Sequence, residues 1–197
     1  MLTYRVTAIL ILLMFYSCYT IKLLRQKKDG IQTIQLGKGK TGLPRTIEIL
    51  LKISSSLIAV AEILSILLYD GNTNPYIRIG GLGIACLGTM VFILAVKDMK
   101  SNWRAGVSET DRTELVTGGI YGWSRNPAFL GFDLTYIGIL MTFFNIPLLV
   151  VTVWTGFLFH LQIVNVEEDF LTARFGQAYV AYRKSVRRYF GKKRSRS

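Results

Sequence analysis

The stretch Glu114-Leu-Val-Thr-Gly-Gly-Ile-Tyr-Gly-Trp-Ser-Arg-Asn-Pro-Ala-Phe129 is polar and glycine-rich, and it closes on a proline where a long apolar block begins. A plain connector has no use for two adjacent glycines, two large aromatics, an Arg and an Asn-Pro pair in so short a space. Gly118-Gly119 permits backbone geometry that residues with a Cβ avoid. Pro127 suits the first turn of a helix, where its missing N–H costs nothing. The expected result is a bent segment lying against a membrane helix, with Tyr121, Trp123, Arg125 and Asn126 near the water boundary. A folded inter-helix loop with interfacial aromatics is the simpler alternative.

Outward from this stretch the chain alternates between apolar and basic segments. Of its 197 residues 51% are hydrophobic, and the mean hydropathy is +0.37, too apolar for a soluble domain of this size. The apolar residues arrive in blocks of membrane-spanning length, roughly 20 residues each. The sequence therefore predicts an all-α integral membrane protein forming one membrane domain. Five transmembrane helices are expected, over about 6–24, 47–69, 76–96, 127–144 and 148–166. The first block lacks a small-x-small cleavage site, so it reads as a retained helix and not a signal peptide. In the third helix Gly81 and Ala85, four residues apart, let a neighbouring backbone approach closely. Asn145-Ile-Pro147 is a tight reversal, so the last two spans form an antiparallel helical hairpin. After it, Phe170, Leu171, Phe175, Tyr179, Tyr182 and Val186 recur at three- and four-residue steps. That spacing marks an amphipathic helix along the membrane face or against the loop, with a bend at Gly176.

Twenty-four Lys and Arg against twelve Asp and Glu give a formal charge of +12. These cations flank apolar blocks, and no basic helix with base-reading side chains appears, so nucleic acid is not the expected partner. Orientation bias and attraction to a bilayer with anionic lipids account for them. The basic segments follow the first, third and fifth helices, which places 25–46, 97–126 and 167–197 together on the cytoplasmic side, with the N-terminus outside and the C-terminus cytoplasmic, in a plasma (inner) membrane. Residues 97–126 and 167–190 are then the candidate cofactor-binding segments, and 191–197 a basic, lipid-facing tail. Gly39-Lys40-Thr41 looks like the end of a phosphate loop, but its required earlier glycine falls at Ile34. Cys18 and Cys86 lie inside apolar blocks and His160 is the single histidine, so neither a disulfide framework nor a metal site is expected.

Ionisable groups inside or at the mouth of membrane helices are costly and point to function. Glu62 and Arg78 read as a structural ion pair. Asp133 lies roughly 9 Å into the fourth helix, at the depth His160 reaches from the fifth; they could meet a substrate, or simply each other. Glu167 follows His160 by seven residues, which places both on one face of a regular helix. An acid there could hold an ammonium group or a ribose hydroxyl, or be a solvated helix-end acid paired with a neighbouring Arg.

Two motifs in order across the hairpin, Glu-Leu-Val-x-x-Gly-x-Tyr-x-x-x-Arg-Asn-Pro-x-Phe and Glu-Glu-x-x-Leu-x-x-x-Phe-Gly-x-x-Tyr-x-x-Tyr, resemble the isoprenylcysteine carboxyl methyltransferases, which belong with the phospholipid methyltransferases. The resemblance runs over about 102–188. It implies S-adenosylmethionine as cofactor, bound on the cytoplasmic side between the two motifs. By that resemblance Thr113, Glu114, Leu115 and Val116 line one wall and Tyr121 adds a ring. Asn126, Pro127, Ala128 and Phe129 border the amino-acid end, with Glu167 accepting from the ammonium or ribose, and Arg125 is a further cofactor contact. A zwitterionic, cationic ligand does need an acid, hydrogen-bonding groups and aromatic faces. The chain departs from the family pattern where Asn126 replaces a His and Phe129 a Tyr. It also carries Ile163 where the carboxyl methyltransferases have an Arg, so a prenylcysteine carboxylate loses its partner.

The expected function is thus methyl transfer from S-adenosylmethionine to a lipophilic small-molecule or lipid acceptor within the membrane. His160, Asp133 and Arg104 are the candidate catalytic residues. A NADPH-dependent membrane reductase of related fold, using Arg183, Arg187 and Arg188 for a 2′-phosphate, and a non-catalytic accessory protein are the alternatives.

Overall fold

The computed structural model describes residues 1–69, 71, 74–107 and 113–192. The basic tail expected at 191–197 therefore lies mostly outside the described residues. Five long helices follow one another: α1 (Leu2–Lys28), α2 (Gly42–Leu68), α3 (Pro75–Met99), α4 (Pro127–Thr142) and α5 (Ile146–Gln162). Two short ones, α6 (Glu168–Phe175) and α7 (Gln177–Ser185), follow among the described residues. Among the described residues there are only isolated bridges and no strands. The protein is an all-α integral membrane protein. Among the described residues four helical stretches are long and apolar enough to cross a bilayer, and Pro127–Thr142 is a shorter apolar helix.

Local chemistry sets the helix ends. The Asn74 side chain caps α3 by accepting from the Tyr76 N–H at 2.9 Å, with Pro75 in the first turn. Asn145 caps α5 in the same way through the Leu148 N–H at 2.9 Å. Both asparagines satisfy a helix N–H that would otherwise lack a partner. Asn145 also donates to Ser65 Oγ at 2.8 Å, tying the α4–α5 turn to the end of α2. Basic residues Arg25, Lys27 and Lys28 crowd the last turn of α1, where they complement the helix dipole.

The α3–α4 pair is packed backbone to backbone. A Cβ at Gly138 would lie 2.4 Å from both Ala85 N and Gly81 O, and one at Gly88 would lie 2.5 Å from Thr135 N. Gly81 and Ala85 therefore act as the sequence pattern predicts, and α4 answers with Gly131 and Gly138. Glu62 and Arg78 do not form the expected ion pair. Buried Glu62 instead accepts from the Tyr16 hydroxyl at 3.1 Å, and Arg78 donates to the Gly71 carbonyl and sits over the Tyr4 ring. Cys18 and Cys86 are free thiols.

The three basic segments gather at one end of the bundle. Lys22 donates to the Lys100 carbonyl, and Gln26 to that of Trp103 at 3.0 Å. Residues 33–35 run beside Ala105, whose N–H donates to the Thr33 carbonyl at 2.9 Å while its carbonyl accepts from Gln35 N–H at 2.8 Å. The bend expected at Gly176 is there, and it divides the stretch after α5 into two helices. Gly176 separates α6 from α7 with φ +51°, a left-handed conformation that glycine adopts without strain.

Candidate functional site

The Glu114–Phe129 segment is held from both sides. Gly119 takes φ +58°, and a Cβ there would strike Asp98 Oδ2 at the end of α3; that same carboxylate accepts from the Ile120 N–H at 2.8 Å. Of the two adjacent glycines only Gly119 uses the left-handed region, since Gly118 has φ −91°. Beyond a 3-10 turn at Gly119–Gly122, Pro127 opens α4 as expected.

The C-terminal helices clamp the other side. Tyr182 donates to the Tyr121 carbonyl at 2.6 Å, and Tyr179, Tyr182 and Val186 form a small core with Leu115, Leu171 and Phe175. The aromatic stripe thus faces the loop. Arg125 donates to Tyr179 Oη at 2.7 Å and pairs with Glu168 Oε1 at 3.0 Å, while Arg188 grips the same carboxylate at 2.7 and 3.0 Å. A buried acid shared by two guanidinium forks is compensated on both oxygens, and its hydrogen bond raises the Arg188 pKa. Asn126 donates to the Arg188 carbonyl at 3.1 Å.

Between these segments and the helices lies a cavity of about 400 Å³, within the usual range for small-molecule sites. Its polar end gathers Asn102, Glu114, Tyr121, Arg125, Asn126 and Glu167. Ala128, Phe129, Phe132, Tyr136 and Phe159 make an apolar wall that leads to Tyr16 and Tyr19 of α1. Lys52 and Ser56, exposed on α2, border the cavity too, so it reaches the outer surface of the bundle between α1 and α2. Burial pushes the Tyr121 phenol above its ordinary range, and the Glu167 carboxylate adds to the shift. Tyr121 is therefore a neutral hydroxyl beside an acid.

Thr113, Glu114, Tyr121, Arg125, Asn126, Ala128, Phe129 and Glu167, all named from sequence as cofactor contacts, come together on this cavity. Leu115 packs under α7 instead, and Val116 and buried Pro127 do not line it. Among the three residues named for catalysis, Arg104 lines the cavity and donates to the Ser101 and Trp103 carbonyls. His160 and Asp133 do not line it. His160 is exposed and hydrogen-bonded to Tyr189, and Asp133 lies within electrostatic reach of that same tyrosine.

Glu167 parts from His160 because a π turn over Ile163–Glu167 continues α5. Its wider i→i+5 bonding advances the chain by a smaller angle per residue than an α-helix. The seven-residue spacing consequently no longer keeps Glu167 on the face of His160, and Glu167 turns to the cavity. Ile163, in that turn, is fully buried. Sequence reasoning missed Gln162, Tyr16 and Trp103, which all line the cavity. A lone amide in an apolar span was the available signal for Gln162.

Two buried polar atoms on wall residues, Gln162 Oε1 and Arg125 Nε, have no hydrogen-bond partner among the described residues. An unpartnered acceptor and donor, with Glu167 nearby and aromatic faces around, fit a ligand bearing both an ammonium and a carboxylate.

A family model described as phospholipid methyltransferase matches residues 76–178, just over half of the chain. Proteins named protein-S-isoprenylcysteine O-methyltransferase are similar as well. The one from Dictyostelium discoideum is 31% identical over 109 residues, covering 53% of this chain and 46% of the relative. Those from Schizosaccharomyces pombe (31%, 53% and 45%) and Tribolium castaneum (30%, 54% and 38%) match to a like extent. The chain spans less than half the length of these relatives.

Proposed function

The chain belongs to the phospholipid methyltransferase family, and on that premise we propose that it transfers a methyl group from S-adenosylmethionine to a lipophilic acceptor held in the bilayer. The observation that carries this reading is one cavity whose wall joins polar groups of the Glu114–Phe129 segment and Glu167 to the aromatic side chains of Phe129, Phe132, Tyr136 and Phe159, and which opens beside α2 at Lys52 and Ser56. When bound, the sulfonium supplies an electrophilic methyl group.

The chain's own residues have simple tasks. Glu167 would offer acceptor oxygens to the ribose hydroxyls, and the Arg125 Nε–H would offer a donor to the carboxylate. Tyr121, neutral by burial, would donate from its hydroxyl. Phe129, Phe132 and Phe159 would exclude water and align the acceptor, because in-line positioning supplies much of the rate of such a transfer. Arg104, at the cavity wall, would meet a polar group on the acceptor. The packing of all three basic segments at one end supports a cytoplasmic location for that end, with the N-terminus outside.

The test is thermal unfolding of the full-length protein in detergent, titrated separately with S-adenosylhomocysteine and NADPH. A saturable rise with the first alone supports the reading, since a ligand at 100 times its Kd stabilises by about 2.7 kcal/mol. A rise with NADPH alone, or with neither on a folded sample, overturns it.

A further inference from the structure

Glu48 stands in the second turn of α2 and is fully buried, where a carboxylate must be compensated. Its Oε2 accepts from the Gly37 N–H at 2.6 Å. Its Oε1 accepts from Lys40 Nζ and from Gln162 Nε2, the latter at 3.1 Å. A carboxylate paired with a lysine offers only acceptors, so it dictates that the nitrogen end of the Gln162 amide faces it. The amide oxygen is left on the other side of a fully buried side chain in the cavity wall, without a partner among the described residues. Buried carbonyl oxygens with no partner are rare, and a bound ligand is one way of completing them. Glu167 lines the same wall, within electrostatic range of both Glu48 and Lys40. The orphan Gln162 Oε1 is an acceptor that an ammonium N–H satisfies and that an ionised carboxylate or phosphate, having no hydrogen to donate, does not.

We infer that Gln162 receives the ammonium group of the bound methyl donor, and that Glu48, held by Lys40, is the positioning residue that fixes the Gln162 amide. This rests on the methyl-donor reading above and adds to it a contact that neither sequence motif contains. It also gives the 37–48 region a role in the site, although Lys40 and Glu48 do not themselves line the cavity.

Calorimetric titration of the full-length protein in detergent with S-adenosylhomocysteine and with its desamino counterpart tests this. The wild-type protein should bind the amino ligand about 10- to 100-fold more tightly, the usual gain from a hydrogen bond to a charged group. Q162L should bring the two ligands to similar affinity by weakening only the amino ligand. E48Q keeps the shape but presents an amide, which accepts either end of Gln162. It should lose about 3- to 10-fold, again only for the amino ligand. A wild-type preference retained in both variants, or an equal loss for both ligands, would overturn the inference while leaving the methyl-donor reading intact. Failure of the wild-type protein to bind either ligand would overturn both.

Discussion

The α3–α4 and α1–α2 pairs are built on opposite plans. On α3 and α4 glycines meet backbone, and a Cβ at Gly138, Gly88 or Gly131 would fall within 2.4–2.7 Å of main-chain atoms. On α1 and α2 large side chains leave space: the main cavity lies on one side of Tyr16, and a second of about 320 Å³, between Leu12, Leu13 and Ile63, Ile66, on the other. The bond from Tyr16 to buried Glu62 crosses between those helices. Lipid tails are as apolar as the side chains they touch, so helix association in a bilayer depends on close packing and interhelical hydrogen bonds. One pair uses the first and forms a rigid wall. The other relies on the second and leaves room for a guest.

Substitutions can break or sharpen this contrast. Gly138→Leu should have the largest effect, because backbone on two helices must separate to admit it. Thermal unfolding in detergent should show loss of the folded protein, or a stability drop of more than about 3 kcal/mol. Tyr16→Phe leaves both Glu62 oxygens without a partner and should cost about 1–3 kcal/mol by the same measurement. Ile63→Phe also adds bulk, but into the second cavity, and should stay within about 1 kcal/mol of wild type. Gly80→Ala, on the open face of α3 with nothing within 4 Å of the added Cβ, should be neutral or stabilising by up to about 1 kcal/mol. If Ile63→Phe proved as damaging as Gly138→Leu, the distinction between the two pairs would fail.

Much of this architecture was legible in the residues. Apolar blocks located the helices, Pro127 marked the start of α4, and the Gly81–Ala85 step announced a close helix contact. The positions of Lys and Arg foretold that three segments share one end. The aromatic stripe from Phe170 to Val186 was visible too, though not that it would bury Tyr179 and Tyr182 against the loop. What stayed hidden depends on rotation and non-local contact. The π turn at Ile163–Glu167 has no periodic signature, yet it determines that Glu167 lines the cavity while His160 pairs with Tyr189. Glu48 and Gln162 are 114 positions apart, and neither spacing nor hydropathy relates them. Residues 33–37 carry no helical period, so nothing marked Ile34 and Leu36 as part of the cavity wall.

The most direct test is a structure of the full-length protein with S-adenosylhomocysteine. The account predicts the ligand in the 400 Å³ cavity, touching both the Tyr121–Phe129 stretch and Glu167. Ligand bound beside His160 and Tyr189, or elsewhere with that cavity filled by protein side chains, would contradict it.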